Sequence, residues 1–268
     1  MSVFLFGASG YIGSAFKAEL ERRGYPCIPC DRNGTTNSHG VVPLLIINCT
    51  GLVKTPSVSA NDEHRCETIL SNVVFPERLV EECRRLNTPL LHVSTGALYR
   101  GDNHGKGWSE TDAPTQTFDS GANWYIGSKE LAERVVMSYP QTYCCRLNRP
   151  FDHLHSPRNY LSKLLGFSVI HRETNSISHR YDFVNACIDL ALERKPFGIY
   201  NMTNPGAVGS SELAEYVHNK LDRFHHQPII QSISDGCVLN TDKLASVGIK
   251  MRPVKKAIDD ALKNWTPA

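Results

Sequence analysis

The sequence of 268 residues has no long apolar run, no strong excess of one charge and no repeated pair of closely spaced cysteines. No stretch approaches the roughly 18–20 apolar residues of a membrane-spanning helix. The glycines at Gly7 and Gly10 interrupt the apolar core that a secretory signal peptide would need. We therefore expect a cytoplasmic protein that has no membrane partner.

Positive and negative side chains nearly balance, with Lys+Arg 29 against Asp+Glu 27 and a net charge of +2. A protein that binds nucleic acid through a basic face usually has a larger excess of positive charge, so we expect no nucleic-acid partner. Hydrophobic residues make up 41% of the chain, which supports a sizeable core and excludes wholesale disorder. The sequence leaves the oligomeric state open, with a homodimer as one option.

The nine cysteines are an odd number, and their single Cys-x-x-Cys pair lies in an apparent strand. This pattern favours free, buried thiols in a reducing cytosol. Two histidine pairs, His153/His155 and His225/His226, lack any recognised zinc-ligand spacing. We therefore expect no metal site.

Short apolar runs alternate with helical stretches, which predicts an α/β fold with a doubly wound, Rossmann-type parallel sheet. The predicted strands are Val3–Phe6, Pro26–Cys30, Leu44–Ile47, Leu90–Val93 and Tyr143–Leu147. Three helices are predicted between these strands. The first ends at Arg23, the second spans Arg65–Leu86 with a bend at Pro76, and the third spans Trp124–Tyr139. The segment between Asp31 and Leu44 is short and polar, so we expect the usual crossover helix to be missing there.

The pattern is less regular after Pro150. It predicts a helix over Asn159–Phe167, a strand over Ile199–Met202 and a helix from Ser210 or Ser211 to Leu221. Apolar residues at helical spacing give a terminal helix one apolar face, formed by Ile258, Ala261, Leu262 and Trp265.

The first strand runs directly into a Gly-x-x-Gly-x-x-Gly turn made by Gly7, Gly10 and Gly13. Glycines let a backbone turn tightly and approach a pyrophosphate, and the following helix presents unpaired N–H groups and its positive end. The glycine pattern by itself is weak evidence for a dinucleotide-binding turn, but its position directly after the first strand strengthens that interpretation. The predicted cofactor-binding residues of this turn are Gly7, Ser9, Gly10, Tyr11, Ile12 and Gly13.

Two charged residues end the second strand. Asp31 is placed to bond the hydroxyls of an adenosine ribose, and Arg32 to meet a 2′-phosphate. The pair leaves the choice between NADH and NADPH open. We predict that residues 1–150 form an NAD(P)-binding Rossmann domain. Residues 151–268 are predicted to form mainly a small substrate-binding cap, with some elements returning to the sheet.

Tyr125 and Lys129 are four residues apart, which places a phenol and an ammonium on one face of a helix. A tyrosine can donate a proton to a ketone oxygen during hydride reduction if a nearby cation lowers its pKa. Ser94 and Thr95 follow a strand at the end where such sheets bind ligands, and offer hydroxyls to a carbonyl. For Asn72 two interpretations stay open: its side chain takes part in a proton relay, or it is an ordinary amide on the protein surface.

These motifs together resemble an extended short-chain dehydrogenase/reductase. The finer resemblance is to the 4-keto-6-deoxy-sugar nucleotide reductases, including dTDP-4-dehydrorhamnose reductases. It is carried by Asn48–Gly51, Ser94–Gly96 and the segments Asn240–Leu244, Gly248–Ile249 and Arg252–Pro253. Glu67–Val74, Ser156–Asn159 and Asn201–Gly206 are more similar to plant and giant-virus enzymes that act on UDP-4-keto-6-deoxyglucose as 3,5-epimerase/4-reductases.

The resemblance implies roles residue by residue. Thr95, Tyr125 and Lys129 match the catalytic triad of the reductases. The implied cofactor-binding residues beyond the glycine turn are Asp31, Arg32, Cys49, Gly51, Asn72, Tyr125 and Lys129, with NADPH as cofactor and NADH as the alternative. The implied substrate-binding residues are Ala97, Asn159, Lys163 and Arg180.

One position departs from the bifunctional enzymes. They use a cysteine two residues past the Thr95 position, paired with a lysine that matches Lys163, and this chain has Ala97 there. The expected activity is therefore 4-reduction of a nucleotide-linked 4-keto-6-deoxy sugar, with UDP, dTDP and 2-acetamido substrates all compatible. The alternatives are a bifunctional epimerase/reductase and a regulatory subunit that binds cofactor without chemistry.

Overall fold

The structure, a computed structural model, describes residues 2–31, 41–53, 58–221, 229–233 and 235–267. Its strands are β1 (Val3–Phe6), β2 (Cys27–Cys30), β3 (Leu45–Asn48), β4 (Leu90–Thr95), β5 (Thr142–Leu147), β6 (Val169–Arg172), β7 (Thr174–Asn175), β8 (Gly198–Asn201), β9 (Val208–Gly209) and β10 (Ile229–Ile233). Its helices are α1 (Tyr11–Arg22), α2 (Arg65–Ile69), α3 (Phe75–Leu86), α4 (Trp124–Met137), α5 (Tyr160–Gly166), α6 (Arg180–Leu192), α7 (Ser210–Leu221), α8 (Asp242–Ser246) and α9 (Val254–Lys263).

The described residues form two compact units. The first contains residues 1–98, 113–146 and 187–200, and the second contains residues 99–112, 147–186 and 201–268. The chain therefore leaves the first unit after Leu98 and returns at Ala113, and it leaves again after Arg146 and returns within α6. No helix in the described ranges combines the length and apolar character needed to cross a bilayer.

The first unit is built on a six-stranded sheet with the order β2-β1-β3-β4-β5-β8. The pairs β1–β2, β1–β3 and β3–β4 are parallel, and every residue of β1 and β3 is buried. Continuous apolar runs form these strands because both faces of the sheet are covered. The predicted doubly wound sheet is confirmed, with its topological switch point between β1 and β3.

The helix predicted over residues 65–86 is interrupted. A π turn over Leu70–Val74 separates α2 from α3. Pro76 lies in the first turn of α3, where its missing N–H is tolerated, and it offers no donor to the carbonyl of Asn72. The irregular turn thus lies before the proline, whereas the sequence predicted a bend at Pro76 itself.

The second unit has two small sheets, formed by β6 with β10 and by β7 with β9. Its apolar core collects residues of α5, α7 and α9, among them Leu161, Val217 and Ile258. The predicted apolar face of the terminal helix is confirmed at Ile258, Ala261 and Leu262. Trp265 is an exception, because α9 ends at Lys263 and Trp265 packs against this core from beyond the helix.

None of the nine cysteines, all of which lie in the described ranges, forms a disulfide, and Cys144 and Cys145 are buried in β5, as predicted. The predicted burial is wrong at Cys66, which is exposed, and Cys27, Cys30 and Cys49 are only half-buried. The prediction of a missing crossover helix concerns mainly residues 32–40, which lie outside the described ranges.

Candidate active site

The glycine turn forms a backbone cradle between β1 and α1. Gly7 has a φ of 80°, and the Gly10 N–H donates to its carbonyl oxygen at 3.0 Å. A Cβ on Gly13 would lie 2.0 Å from that same oxygen, and one on Gly7 would lie 2.9 Å from the Cys49 carbonyl carbon. Only glycine fits these two positions. The N-cap, Gly10, brings no side-chain cap to α1, which leaves this helix end suited to an anion.

The other residues predicted to bind cofactor follow neighbouring strands at the same edge of the sheet. Asp31 comes directly after β2 and is exposed. Cys49 follows β3, and its N–H donates to the Phe6 carbonyl oxygen at 2.9 Å. Gly51 lies beside the Asn72 amide, since a Cβ there would be 3.6 Å from Asn72 Oδ1. Arg32 lies outside the described residues.

Tyr125 lies in the first turn of α4, and its position is fixed by the start of that helix. The Asn123 side chain caps the helix by accepting from the Ile126 N–H at 3.0 Å. Asp62 Oδ1 accepts from the Trp124 N–H at 2.7 Å. The half-buried Tyr125 thus comes one residue after an anchored backbone group.

Lys129 lies one turn further along α4 and is buried. Its Nζ donates to the Val93 carbonyl oxygen at 2.8 Å and lies 3.2 Å from His92 Nε2. These contacts join α4 to β4 just before Thr95. Burial lowers the pKa of Lys129 below its usual 10.5. The sequence predicted that Lys129 shares a helix face with Tyr125, but it did not predict that Lys129 is buried.

Thr95 is the last residue of β4 and is buried. Its Oγ1 accepts from the Ala97 N–H at 3.2 Å, so the hydroxyl hydrogen stays available for a carbonyl oxygen. Ala97 itself is half-buried in the single 3₁₀ turn that follows. A phenol, a buried amine and a hydroxyl are therefore carried by α4 and the carboxyl end of β4.

Asn72 is buried in the π turn and is not a surface amide. Its Oδ1 accepts from the Leu52 N–H at 2.6 Å, and its Nδ2 donates to Ser128 Oγ at 3.0 Å. Ser128 Oγ in turn donates to the Tyr125 carbonyl oxygen at 2.8 Å. Asn72 therefore links the loop after β3 to the helix that carries Tyr125 and Lys129.

Sequence reasoning missed several buried polar groups in the first unit, two of which lie close to the predicted triad. His92 is fully buried within the apolar run of β4, and Glu133 is buried on α4. Ser94, offered above as a ligand for a carbonyl, donates instead to Glu133 Oε1 at 2.6 Å. A titratable residue inside an apolar strand was the signal available for His92, because such a side chain must find a partner when buried.

The predicted substrate-binding residues of the second unit are placed differently from one another. Asn159 is fully buried and caps α5, and its Nδ2 donates to Asp152 and to the Leu154 carbonyl oxygen. Arg180 is buried and donates to Asp152 Oδ2 at 2.8 Å. Both side chains form hydrogen bonds within the protein. Their predicted contact with a substrate therefore stays a prediction, and these hydrogen bonds do not support it.

Lys163 lies on α5 and is half-buried. Burial, followed by the charges of Arg158 and Arg149, lowers its pKa. This is a cationic neighbourhood that suits an anionic ligand. The described residues contain no group of three or more His, Cys, Asp and Glu side chains arranged to hold a metal ion; His225 and His226 lie outside them.

The asparagine-rich motifs of the second unit hold its loops together. Asn204 Oδ1 accepts from the His179 N–H, and its Nδ2 donates to Asp182 and to the Arg252 carbonyl oxygen. Asn201 Nδ2 donates to the carbonyl oxygen of Asn240 at 3.0 Å. These motifs therefore act in this unit as structural ties.

The sequence profile described as the RmlD substrate binding domain matches residues 1–266. The chain is 26% identical over 230 residues to the bifunctional dTDP-4-dehydrorhamnose 3,5-epimerase/dTDP-4-dehydrorhamnose reductase of Arabidopsis thaliana. This alignment covers 81% of this chain and 75% of that protein.

Two solved structures share the fold. The L780 UDP-rhamnose synthase of Acanthamoeba polyphaga mimivirus has a TM-score of 0.87 at 22% identity, with 98% of this chain and 99% of that chain covered. The dTDP-4-dehydrorhamnose reductase of Bacillus anthracis, in complex with NADP, has a TM-score of 0.80 at 16% identity, with 99% and 98% covered.

Proposed function

The chain belongs to the RmlD substrate binding domain family, and on that basis we propose that it is an NAD(P)H-dependent 4-reductase of a nucleotide-linked 4-keto-6-deoxy sugar. The family drawn from the sequence motifs is thereby confirmed. The observation that carries the proposed activity is the anchoring of Lys129 to β4 just before Thr95, one helical turn after Tyr125. A reduction needs these groups together, whereas a cofactor-binding regulatory subunit does not.

The glycine turn fits the pyrophosphate of a dinucleotide. Side chains are excluded at Gly7 and Gly13 by the backbone itself, so the turn presents main-chain groups and the start of α1. When bound, NADPH or NADH supplies the hydride that reduces the ketone. Asp31 supports binding of a ribose, and the preference for NADPH proposed for Arg32 concerns a residue outside the described ranges.

The chain's own residues handle the proton. We assign Tyr125 as the general acid that donates its phenolic proton to the 4-keto oxygen as negative charge develops there. The Thr95 hydroxyl, whose oxygen already accepts from Ala97, donates a hydrogen bond to the same oxygen. Asn72 and Ser128 hold the backbone of Tyr125 in place.

A bifunctional epimerase/reductase is the second candidate. The lowered pKa of Lys163 favours it, because a larger fraction of this amine is then unprotonated at a given pH and able to take up a proton. Ala97 weighs against it, since a methyl group cannot take a proton from carbon. We therefore rank reduction of an already epimerised L-configured 4-keto sugar first, with the nucleotide either UDP or dTDP.

A substrate panel tests the proposal. UDP- and dTDP-linked 4-keto-6-deoxy sugars, with and without a 2-acetamido group, are incubated with NADPH or NADH, and cofactor oxidation is followed by absorbance. We expect oxidation with at least one L-configured sugar and formation of the 4-hydroxy product. Cofactor binding without oxidation across the panel would replace this proposal with the regulatory-subunit alternative.

A further inference from the structure

Two neighbouring residues of one short turn bond to two different segments of the first unit. The 3₁₀ turn Val58–Glu63 contains Asn61 and Asp62. Asn61 Nδ2 donates to the Leu52 carbonyl oxygen at 3.0 Å, and Asp62 Oδ1 accepts from the Trp124 N–H at 2.7 Å. The Cα atoms of consecutive residues lie only about 3.8 Å apart. Asn61 and Asp62 thus form a clamp that joins the loop after β3 to the start of α4.

The backbone of Leu52 is held at both of its polar groups. Its N–H donates to Asn72 Oδ1 at 2.6 Å, and its carbonyl oxygen accepts from the side-chain amides of Asn61 at 3.0 Å and of Asn72 at 3.3 Å. Asn61 is fully buried, and its Nδ2 also donates to the buried Thr68 hydroxyl at 2.9 Å. A buried polar network whose members are bonded to one another is rigid. The loop is therefore fixed directly after Gly51, one of the predicted cofactor contacts.

Trp124 is held in two ways by the chain around the clamp. Its N–H belongs to the first turn of α4, where N–H groups have no partner inside the helix, and Asp62 supplies the acceptor. The Asp62 carboxylate also places negative charge at the positive end of this helix. The Arg65 guanidinium lies 5.3 Å from the centroid of the Trp124 ring, and Arg65 Nε donates to the Asp62 carbonyl oxygen at 3.0 Å. Both the backbone and the ring of Trp124 are therefore positioned from this segment.

Tyr125 lies between two points at which α4 is joined to the loop after β3. The clamp reaches Trp124, directly before Tyr125. Asn72, which bonds the same loop, donates to Ser128 Oγ at 3.0 Å, three residues after Tyr125. A helix that is held on both sides of one residue cannot slide along the loop, or turn about its own axis, without breaking one of these hydrogen bonds. The position of Tyr125 relative to the loop is therefore set by this framework.

We propose that Asn61 and Asp62 are positioning residues, which hold the first turn of α4 against the loop after β3 and so couple cofactor binding at that loop to the position of Tyr125. Asn and Asp side chains have only two torsions each, so a displacement of Leu52 passes to the helix start with little slack. A general acid must lie within hydrogen-bond reach of the reacting oxygen, so a displaced Tyr125 loses rate. This consequence for Tyr125 rests on the proposed reductase function, whereas the link from the loop to Trp124 requires only that the cofactor binds.

The link is measured without any sugar substrate. The chain contains three tryptophans, so ¹⁹F NMR of protein labelled with 5-fluorotryptophan resolves them, and Trp124→Phe identifies the Trp124 signal. We expect saturation with NADP⁺, or with NAD⁺ if it binds more tightly, to move the Trp124 signal in the wild-type chain. The movement should be clearly smaller in Asn61→Ala. A wild-type Trp124 signal that neither nucleotide moves overturns the proposal, and this observation needs no clamp variant to fold.

Ser71→Ala is the matched control for Asn61→Ala. The Ser71 hydroxyl is buried in the π turn beside Asn72 and has no hydrogen-bond partner among the described residues. Its removal therefore breaks no contact of the clamp, and the Trp124 signal should move as far as in the wild-type chain. An undiminished movement in Asn61→Ala, or an equal loss in the two variants, contradicts the clamp.

Kinetics distinguish positioning from a merely structural role. Asp62→Ala removes the acceptor of the Trp124 N–H, whereas Asp62→Asn keeps an oxygen at that place. We expect kcat for ketone reduction, corrected for the folded fraction, to fall by about 10- to 100-fold in Asp62→Ala, with the NADPH Kd little changed. Asp62→Asn should keep most of its kcat. An unchanged kcat in Asp62→Ala, or an equal fall in both variants, means that this hydrogen bond does not position the acid.

The double variant tests whether the two residues act as one unit. Because Asn61 and Asp62 act in series, the double alanine variant should lose no more kcat than the larger of the two single losses. Losses that multiply would show two independent effects and would overturn the coupling. If the Trp124 signal responds as expected but no sugar in the panel is reduced, the proposed function fails and the link from the loop to Trp124 stands. If sugars are reduced and both single variants turn over at the wild-type rate, the clamp fails and the reductase function stands.

Discussion

Arg146 and Glu133 form a buried ion pair, with Arg146 Nε 2.9 Å from Glu133 Oε1 and Arg146 Nη2 2.6 Å from Oε2. Both side chains are nearly inaccessible to solvent. Because Ser94 donates to the same carboxylate, the pair ties β5 and α4 to β4 immediately before Thr95. The elements that carry the reactive groups are therefore held by one charge-assisted cluster.

Removing the charge from Glu133 should destabilise the first unit strongly. Glu133→Gln leaves the Arg146 guanidinium buried without a counter-ion, which typically costs about 3–5 kcal/mol. Urea unfolding followed by circular dichroism measures the loss. Glu21→Gln removes the partner of exposed Lys17 and should cost no more than about 1 kcal/mol. Equal losses in the two variants would contradict the structural role of the buried pair.

Tyr125→Phe keeps the ring and removes the proton donor. We expect kcat for ketone reduction to fall by roughly 10²–10⁴-fold, the usual contribution of general acid catalysis. Binding of NADPH, measured by its fluorescence, should be retained because the glycine turn is untouched. Unchanged turnover would rule out Tyr125 as the acid.

Gly13→Ala should abolish cofactor binding. The new methyl group would meet the Gly7 carbonyl oxygen, so the turn must open, and overpacking of this kind costs about 1–3 kcal/mol. Gly166→Ala is the matched control, since a Cβ there meets nothing within 4 Å. Calorimetric titration with NADPH and thermal unfolding test both variants. Full NADPH affinity in Gly13→Ala would show that the cradle is not where the cofactor binds.

Asp182 should make the second unit sensitive to acid. Burial by itself would raise the pKa of Asp182, but hydrogen bonds from the Arg252 guanidinium and the Asn204 amide outweigh it and lower the pKa to about 2. A carboxyl whose folded pKa is depressed stabilises the protein above its unfolded pKa, near 3.8, and loses that contribution as pH falls towards 2.

Asp182→Asn should therefore be less stable than wild type by roughly 2 kcal/mol at pH 6, with the difference shrinking between about pH 4 and pH 2. Urea unfolding at a series of pH values measures it. A difference that does not depend on pH would mean that the Asp182 charge is not the source of the effect.

Ala97→Cys tests the departure from the bifunctional relatives. Ala97 is half-buried two residues beyond Thr95, so a thiol there would face the same end of the sheet. A thiol needs a lowered pKa to act as a base, which a nearby ammonium can provide. We expect Ala97→Cys to gain slow exchange of solvent deuterium into a 4-keto-6-deoxy sugar nucleotide, measured by NMR, with little exchange in the unmodified chain. Fast exchange by the unmodified chain would make the bifunctional alternative the first choice.

The sequence by itself determined the features that depend on short spacings. A glycine repeat after an apolar strand and a tyrosine four residues before a lysine each lie within one or two turns of chain, so local geometry decides their form. The strand alternation likewise determined a parallel doubly wound sheet. The end of α9 before Trp265 shows the limit of this reasoning, since periodicity does not define where a helix stops.

Only the tertiary structure decided which polar side chains are buried and which partners they bond. Asn48, His92 and Lys129 are 44 and 37 residues apart along the chain, and parallel pairing of β3 with β4, together with the packing of α4, brings them together. Burial changes which protonation state is stable, and burial follows from contacts between distant segments. A polar group that is removed from water needs a hydrogen-bond partner within the fold. For this reason Ser94, a predicted ligand for a carbonyl, donates to Glu133, and Asn72 is buried and donates to Ser128.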